Sequence, residues 1–201
     1  MDDMTSGLRE RKKLATRAAL HAAALQLVAE RGLDHVSVDD IAARADVSPR
    51  TFFNYFPAKD DAVLGLDPEG STQQVEAFLA RPADESPVQA LRTVARNQAA
   101  EMATETELWP LRLRVIEAPP ALLGRLAASC GEAERVLADA IATRSGTRVG
   151  MDAYPTLLAA ASGAAMRTSL HRWLSGDFTA ALPGLVDESW DLLTTGLPAP
   201  R

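Results

Sequence analysis

Apolar positions recur at helical spacing along almost the whole chain, and strand-like alternation never lasts beyond a few residues. Between about Arg9 and Arg31, Leu20, Ala23, Ala24, Leu27 and Val28 form one apolar face, and Gly32 supplies the left-handed stop. Ser37 then opens a short helix, Val38 to Arg44, with Asp40 at the reciprocal capping-box position. After the tight connection "ADV", Ser48-Pro49 starts a third helix with a cap and an N1 proline. It runs to about Tyr55, and Pro57 ends it because proline cannot continue the hydrogen-bond ladder. A fourth helix begins near Ala58. The strongest punctuation is "GLDPEGS" and "RPADESP", which puts a domain boundary near Asp67. Beyond it the pattern predicts helices over about 72–79, 87–104, 105–117, 121–143, 151–174 and 177–193. The expected fold is all-α. A three-helix helix-turn-helix domain spans 9–66, with the motif at about 37–56, and a helical domain fills 67–201.

Within this pattern "VSPRTFFNYFPAKDDAVL" stands out, because Phe52, Phe53, Tyr55 and Phe56 are interleaved with Arg50, Thr51 and Asn54. Phe52 and Phe56 stand at i and i+4 and share one face, turned inward. Phe53 and Tyr55 flank that face. The aromatics anchor a helix too short to hold by itself. Two short helices that cross closely need small residues at the contact, and Ala42 and Ala45 supply them, with Ile41, Val47 and Phe52 closing the core between. The outer face carries Pro49, Arg50, Thr51 and Asn54. Arginine suits guanine, asparagine suits adenine, and a threonine or proline carbon suits the thymine methyl. Tyr55, Lys59 and the hydroxyls of Ser37 and Ser48 suit phosphate oxygens, which fix register without reading sequence.

The chain has 201 residues, 47% hydrophobic and 24% charged, with a net charge of −6. An acidic total argues against a nucleic-acid partner, but the charge is uneven. Arg9, Arg11, Lys12, Lys13 and Arg17 crowd the start, which adds Arg17 to the candidate DNA contacts, while the segment after Asp67 is acidic. Cys130 is the single cysteine, so no intrachain disulfide can form, and no Cys/His spacing suits zinc. His21, His35 and His171 are far apart, and no GxSxG, Walker or GxGxxG pattern occurs, which argues against an enzyme and calls for no cofactor. No apolar run approaches the roughly 20 residues of a membrane span, and the charged N-terminus lacks the core of a signal peptide. The reading is a cytoplasmic protein.

"SVDDIAARADVSPRTFFNYFPAKDDAVL", preceded by "TRAALHAAALQLVAERG", resembles the DNA-binding segment of TetR-type transcriptional regulators over about the first third of the chain. The resemblance implies that Thr51 and Phe53 sit at the DNA surface of the recognition helix, that Tyr55 and Lys59 contact phosphate, and that Ser37 opens the preceding helix against the backbone. Two positions depart from the common pattern: Phe53 stands where tyrosine is frequent, and Asp46 stands in the turn where glycine is frequent. "SPRTFFNYF" is similar to a subgroup that includes regulators near mycofactocin genes.

In TetR-like regulators the C-terminal helices bind a small effector and form the homodimer. Here "LLAAASGAAM" is almost all small residues, which lets helices approach closely, and the last helix carries an apolar stripe. Ala160, Gly163, Ala164, Leu182, Val186 and Trp190 are therefore the expected dimer contacts, in a four-helix interface. Intrachain packing of the same two helices is the alternative. Met102, Leu108, Trp109, Arg112, Leu113, Leu123, Leu126 and Met166 are the expected effector-pocket residues, with an acyl-CoA or another elongated amphipathic molecule as the ligand class the subgroup resemblance implies. The expected function is a ligand-responsive regulator, most simply a repressor, that binds a palindromic operator in double-stranded DNA as a homodimer. A helical DNA-architectural or protein-interaction module without effector fits the same residues and stays open at this point.

Overall fold

Two serines fix where the short helices begin. In the computed structural model, which describes residues 2–66, 70–104, 108–116 and 120–197, Ser37 Oγ accepts from Asp40 N at 3.1 Å and Ser37 N donates to the Asp40 carboxylate at 2.9 Å. That reciprocal box starts α2 (Val38–Arg44) behind the long α1 (Asp2–Arg31) and a 3-10 turn (Leu33–His35). Ser48 Oγ accepts from Thr51 N at 3.1 Å and starts α3 (Pro49–Phe53). Asp46 between them has φ 55°, so it takes the left-handed conformation of the turn in place of glycine. α3 ends two residues before the expected Tyr55, yet Phe56 N still donates to Phe52 O at 3.0 Å. The i and i+4 phenylalanines are thus both fully buried, 5.9 Å apart between ring centres. α4 (Lys59–Leu64) follows and stops at Gly65, φ 65°.

The remaining helices are α5 (Gly70–Leu79), α6 (Pro87–Met102), α7 (Trp109–Ile116), α8 (Pro120–Ser145), α9 (Ala153–Ser175) and α10 (Leu182–Thr194). The chain folds as two units. The first comprises residues 1–67 and 107–127, the second 68–106 and 128–201. The expected division near Asp67 is therefore crossed a second time, because residues 107–127 return to the first unit. The physical reason is core closure. α7 packs on α1 and α4, and Val115 and Leu122 are buried in the same cluster as Leu20, Leu27, Ile41, Phe52 and Phe56. A three-helix motif of about 60 residues buries too little surface to be robust by itself.

In the second unit α10 packs on α9 and α6. Leu182, Val186 and Trp190 are 0%, 0% and 1% exposed, so the stripe expected at a subunit interface is filled inside one chain. The stripe has an apolar partner in every case; that partner is the chain's own α6 and α9. Ser169 Oγ lies 2.8 Å from Ala165 O, 3.0 Å from Leu185 O and 2.9 Å from Ser189 Oγ, a buried polar link between α9 and α10. Arg144 joins α8 to the α5–α6 connection through the carbonyls of Arg81 (3.1 Å) and Glu85 (3.0 Å).

Trp190→Ala should cost about 3–5 kcal/mol, as a large cavity does, with the same loss at every protein concentration. A loss that grows on dilution would return Trp190 to a subunit interface.

Candidate nucleic-acid interface

Phe52 orients α3. With it fully buried, helical geometry sets Arg50 and Asn54 on the opposite side, one turn apart, with Pro49 and Phe53 on one flank and Thr51 on the other. Arg50, Asn54 and Pro49 are exposed, Thr51 is half-buried, and Phe53 is 58% exposed, an unusual position for phenylalanine. Its ring meets Phe52 edge-on at 5.4 Å. Tyr55 is half-buried and packs against the core of the unit. The Ser37 and Ser48 side chains are exposed and serve as the two caps.

Two of the expected DNA contacts have internal partners. Arg17 Nη1 donates to Tyr55 O at 3.1 Å, Nη2 donates to Leu66 O, and the guanidinium lies 4.4 Å from the centre of the Phe56 ring. Arginine satisfies the free carbonyls at the ends of α3 and α4, which have no partner within their own helices. Lys59 Nζ donates to Leu33 O at 2.7 Å and Val36 O at 3.0 Å, so it clamps the turn before α2 to the start of α4.

A polar cluster that the sequence reading did not single out holds α4 against α1 and residues 107–127. Asp61, 2% exposed, accepts from Arg125 Nε at 2.7 Å and Nη2 at 3.0 Å. Arg112 Nη2 donates to Leu64 O at 2.7 Å, and its guanidinium lies 4.7 Å from the centre of the Trp109 ring. His21 Nδ1 lies 2.7 Å from Ala62 O. A carbonyl only accepts, so the ring proton is on Nδ1, and the buried Nε2 has no hydrogen-bond partner. Burial, then the neighbouring Arg112 charge, lowers the His21 pKa to about 4. Gly65 is required twice over here. Its φ is 65°, and a Cβ would come within 2.6 Å of Arg112 Nη2 and 2.9 Å of His21 Cε1. The sequence signals were an aspartate within the apolar run "DAVL" and a histidine on the apolar stripe of α1.

The residues expected to line an effector pocket are divided between the two units. Leu108 and Leu126 pack on the core of the first unit, beside Arg112 and Trp109, because residues 107–127 belong to that unit. Leu123 is 50% exposed. The side chain of Leu113 lies outside the described residues. Met102 is half-buried in the second unit, and Met166 lines a cavity there of about 200 Å³. Among the expected dimer residues, Gly163 faces α8, where a Cβ would come 2.5 Å from Glu134 Oε1, Ala160 is half-buried and Ala164 is exposed.

Comparison with known proteins agrees with this architecture. Residues 20–64 match the family model of bacterial regulatory proteins of the tetR family, and residues 85–198 match that of the MftR C-terminal domain. The chain is 34% identical over 177 residues to the HTH-type transcriptional regulator TcmR of Streptomyces glaucescens, covering 83% of this chain and 76% of that protein. It belongs to the TetR family of transcriptional regulators, which are DNA-binding proteins and not enzymes. The same fold is seen in a triclosan complex of SmeT, a repressor from Stenotrophomonas maltophilia, at 17% identity, TM-score 0.60, covering 93% and 99% of the two chains. It is seen again in FadR of Bacillus subtilis with stearoyl-CoA, at 20% identity, TM-score 0.55, covering 90% and 99%.

His21 makes the fold pH-sensitive. Unfolded, the ring takes up a proton near pH 6.5; folded, it resists until about 4. Its contribution is complete above the unfolded value and is lost as pH falls between the two. Stability should fall by about 2 kcal/mol from pH 7 to 5 on this account, and His21→Gln should remove that part of the slope in urea titrations. Equal slopes in both proteins would contradict a ring held neutral by the fold.

Proposed function

We propose that this TetR-family regulator is a ligand-responsive repressor that binds a palindromic operator as a homodimer and is released by a small molecule held in the second unit. The observation that carries the reading is the outward face of α3, where Arg50 and Asn54 stand one turn apart and exposed opposite the buried Phe52. Those two residue types make paired hydrogen bonds to guanine and adenine in the major groove. Thr51, Phe53, Tyr55 and the two capped helix starts border that face and serve the backbone, which fixes register.

The dimer rests on a different stripe from the one the sequence pattern suggests. On α9, Leu157, Ala161, Ala164, Thr168 and His171 recur at intervals of four and three residues, and Leu157 is 68% exposed. That period suits helices packed side by side. The small residues let a second copy approach, and Ala164 is retained from the expected set. Leu192, 47% exposed, extends the apolar surface on α10. A two-fold pair built on this face gives two recognition helices for the two halves of a palindrome.

Release follows from population shift. A ligand that favours one arrangement of the pair by a few kcal/mol changes the fraction that matches the operator. α8 begins in the first unit and continues into the second, so one helix joins the DNA-binding core to the ligand-binding helices. A bound dimer on the operator blocks transcription, which makes repression the output. No helix among the described residues is long and apolar enough to cross a membrane, and a DNA partner places the working protein in the cytoplasm.

Selection from a random duplex pool should enrich a palindrome with half-site centres one helical turn, about 34–36 Å, apart. Arg50→Ala and Asn54→Ala should each change the preferred base at a defined position while altering stability by no more than about 0.5 kcal/mol, as exposed substitutions do. Enrichment of nothing, or of one asymmetric half-site by the wild-type protein, contradicts the proposal.

A further inference from the structure

The second unit contains two adjoining cavities whose linings share Gln74 and Gln98. One, of about 450 Å³, lies between α5 and α6 and is lined on its polar side by Gln73, Gln74, Asn97 and Gln98. The other, of about 200 Å³, lies among α5, α6, α8 and α9, where Leu137, Met166 and Leu170 face the same two glutamines. Gln74 is half-buried and Gln98 exposed, and neither side-chain amide is hydrogen-bonded to another described residue, so both are open to a ligand. Each amide offers a donor and an acceptor. The site is thus a polar edge opposed to an apolar wall, the usual division of labour in small-molecule pockets, with a volume in the usual range.

The charges on the lining decide which ligands fit. Its two arginines are already neutralised: Arg81 pairs with Glu85, and Arg167 pairs with Glu134 at 2.8 Å. Glu101 adds a carboxylate at the rim. An anionic ligand would have to displace a glutamate from an arginine or sit beside an unneutralised carboxylate. A CoA thioester carries several negative charges on its phosphates, and each arginine of this lining is already paired with a carboxylate. A neutral molecule meets no such cost.

We propose that Gln74 and Gln98 form the recognition edge for the effector, and that the effector is a neutral, compact amphipathic molecule with hydroxyl and carbonyl groups along one side. This class differs from the elongated acyl-CoA that the subgroup resemblance implies, and the two are separated by the test below. The inference rests on the regulator reading above for the word effector, and on the cavity alone for the ligand chemistry. Gln74 and Gln98 present both hydrogen-bonding functions to the hydroxyl and carbonyl edge. Leu137, Met166 and Leu170 cover the hydrocarbon face, and the pliable methionine adapts to its outline. Substituting one glutamine removes half of the hydrogen bonds this edge can make, and substituting both removes them all.

The test is calorimetric titration of the full chain with three neutral hydroxy-ketones (naringenin, genistein and hydrocortisone) and with lauroyl-CoA as the anionic probe. At least one neutral probe should bind saturably, and Gln74→Leu/Gln98→Leu should weaken it tenfold or more with an unchanged melting temperature. Lauroyl-CoA should show no saturable binding. Saturable binding of lauroyl-CoA alone, binding of no neutral probe, or equal affinity in the double variant would overturn the proposal. Operator selection on the same preparation separates the two readings. Sequence-selective DNA binding without neutral-ligand binding overturns this inference and leaves the regulator intact. Glutamine-dependent ligand binding in a protein that selects no DNA sequence supports the site and overturns the regulator.

Discussion

The first unit depends on one constraint: the carboxylate of Asp61 is buried in α4 and must have a cation. A buried carboxylate without a partner costs several kcal/mol. Its partner, Arg125, lies 64 residues further along the chain and grips it through two nitrogens. That pairing obliges residues 107–127 to return to the helix-turn-helix core. With them come Val115 and Leu122, which fill it, and Arg112, which caps the end of α4 at Leu64 O. Gly65 and His21 complete the arrangement, since only a glycine leaves room for the guanidinium and the ring together. The DNA-binding unit is therefore a composite of two chain segments, and α4 is held by groups that belong to the helices leading into the rest of the chain.

The same logic explains why the exposed face of α3 is free for recognition. A five-residue helix cannot hold itself. Phe52 and Phe56 anchor it from beneath, Ser48 caps its start, and Arg17 caps its end at Tyr55 O while stacking on Phe56. Every stabilising contact thus lies on the inner side or at the ends. Arg50 and Asn54 are needed by none of them, so they can differ between regulators without cost to the fold.

Features set by neighbours in sequence were legible from it. The helix starts at Ser37 and Ser48 follow from local capping, the turn at Asp46 from left-handed tolerance, and the burial of Phe52 and Phe56 from their spacing. Features set by distant partners were not. The carbonyls that Arg17 and Lys59 meet are among these, because a basic residue near a recognition helix carries no mark of a partner distant in sequence. The α10 stripe is apolar in the sequence, but the pattern of one chain does not say whether its partner is a second copy or the chain's own α6 and α9. Leu108, Trp109 and Arg112 stand in the second part of the sequence, and the contacts that bring their segment to the first unit are likewise long-range.

Residues 107–127 and the helix-turn-helix form one cooperative unit held through Asp61, and native-state hydrogen exchange of the full chain is the measurement to make. The protected amides of α7 should share one opening free energy with those of α1 and α4, and Arg125→Met should lower all three together. If the α7 amides instead open with α6, α9 and α10, or exchange independently of α4, the segment belongs to the second unit and the composite core is refuted.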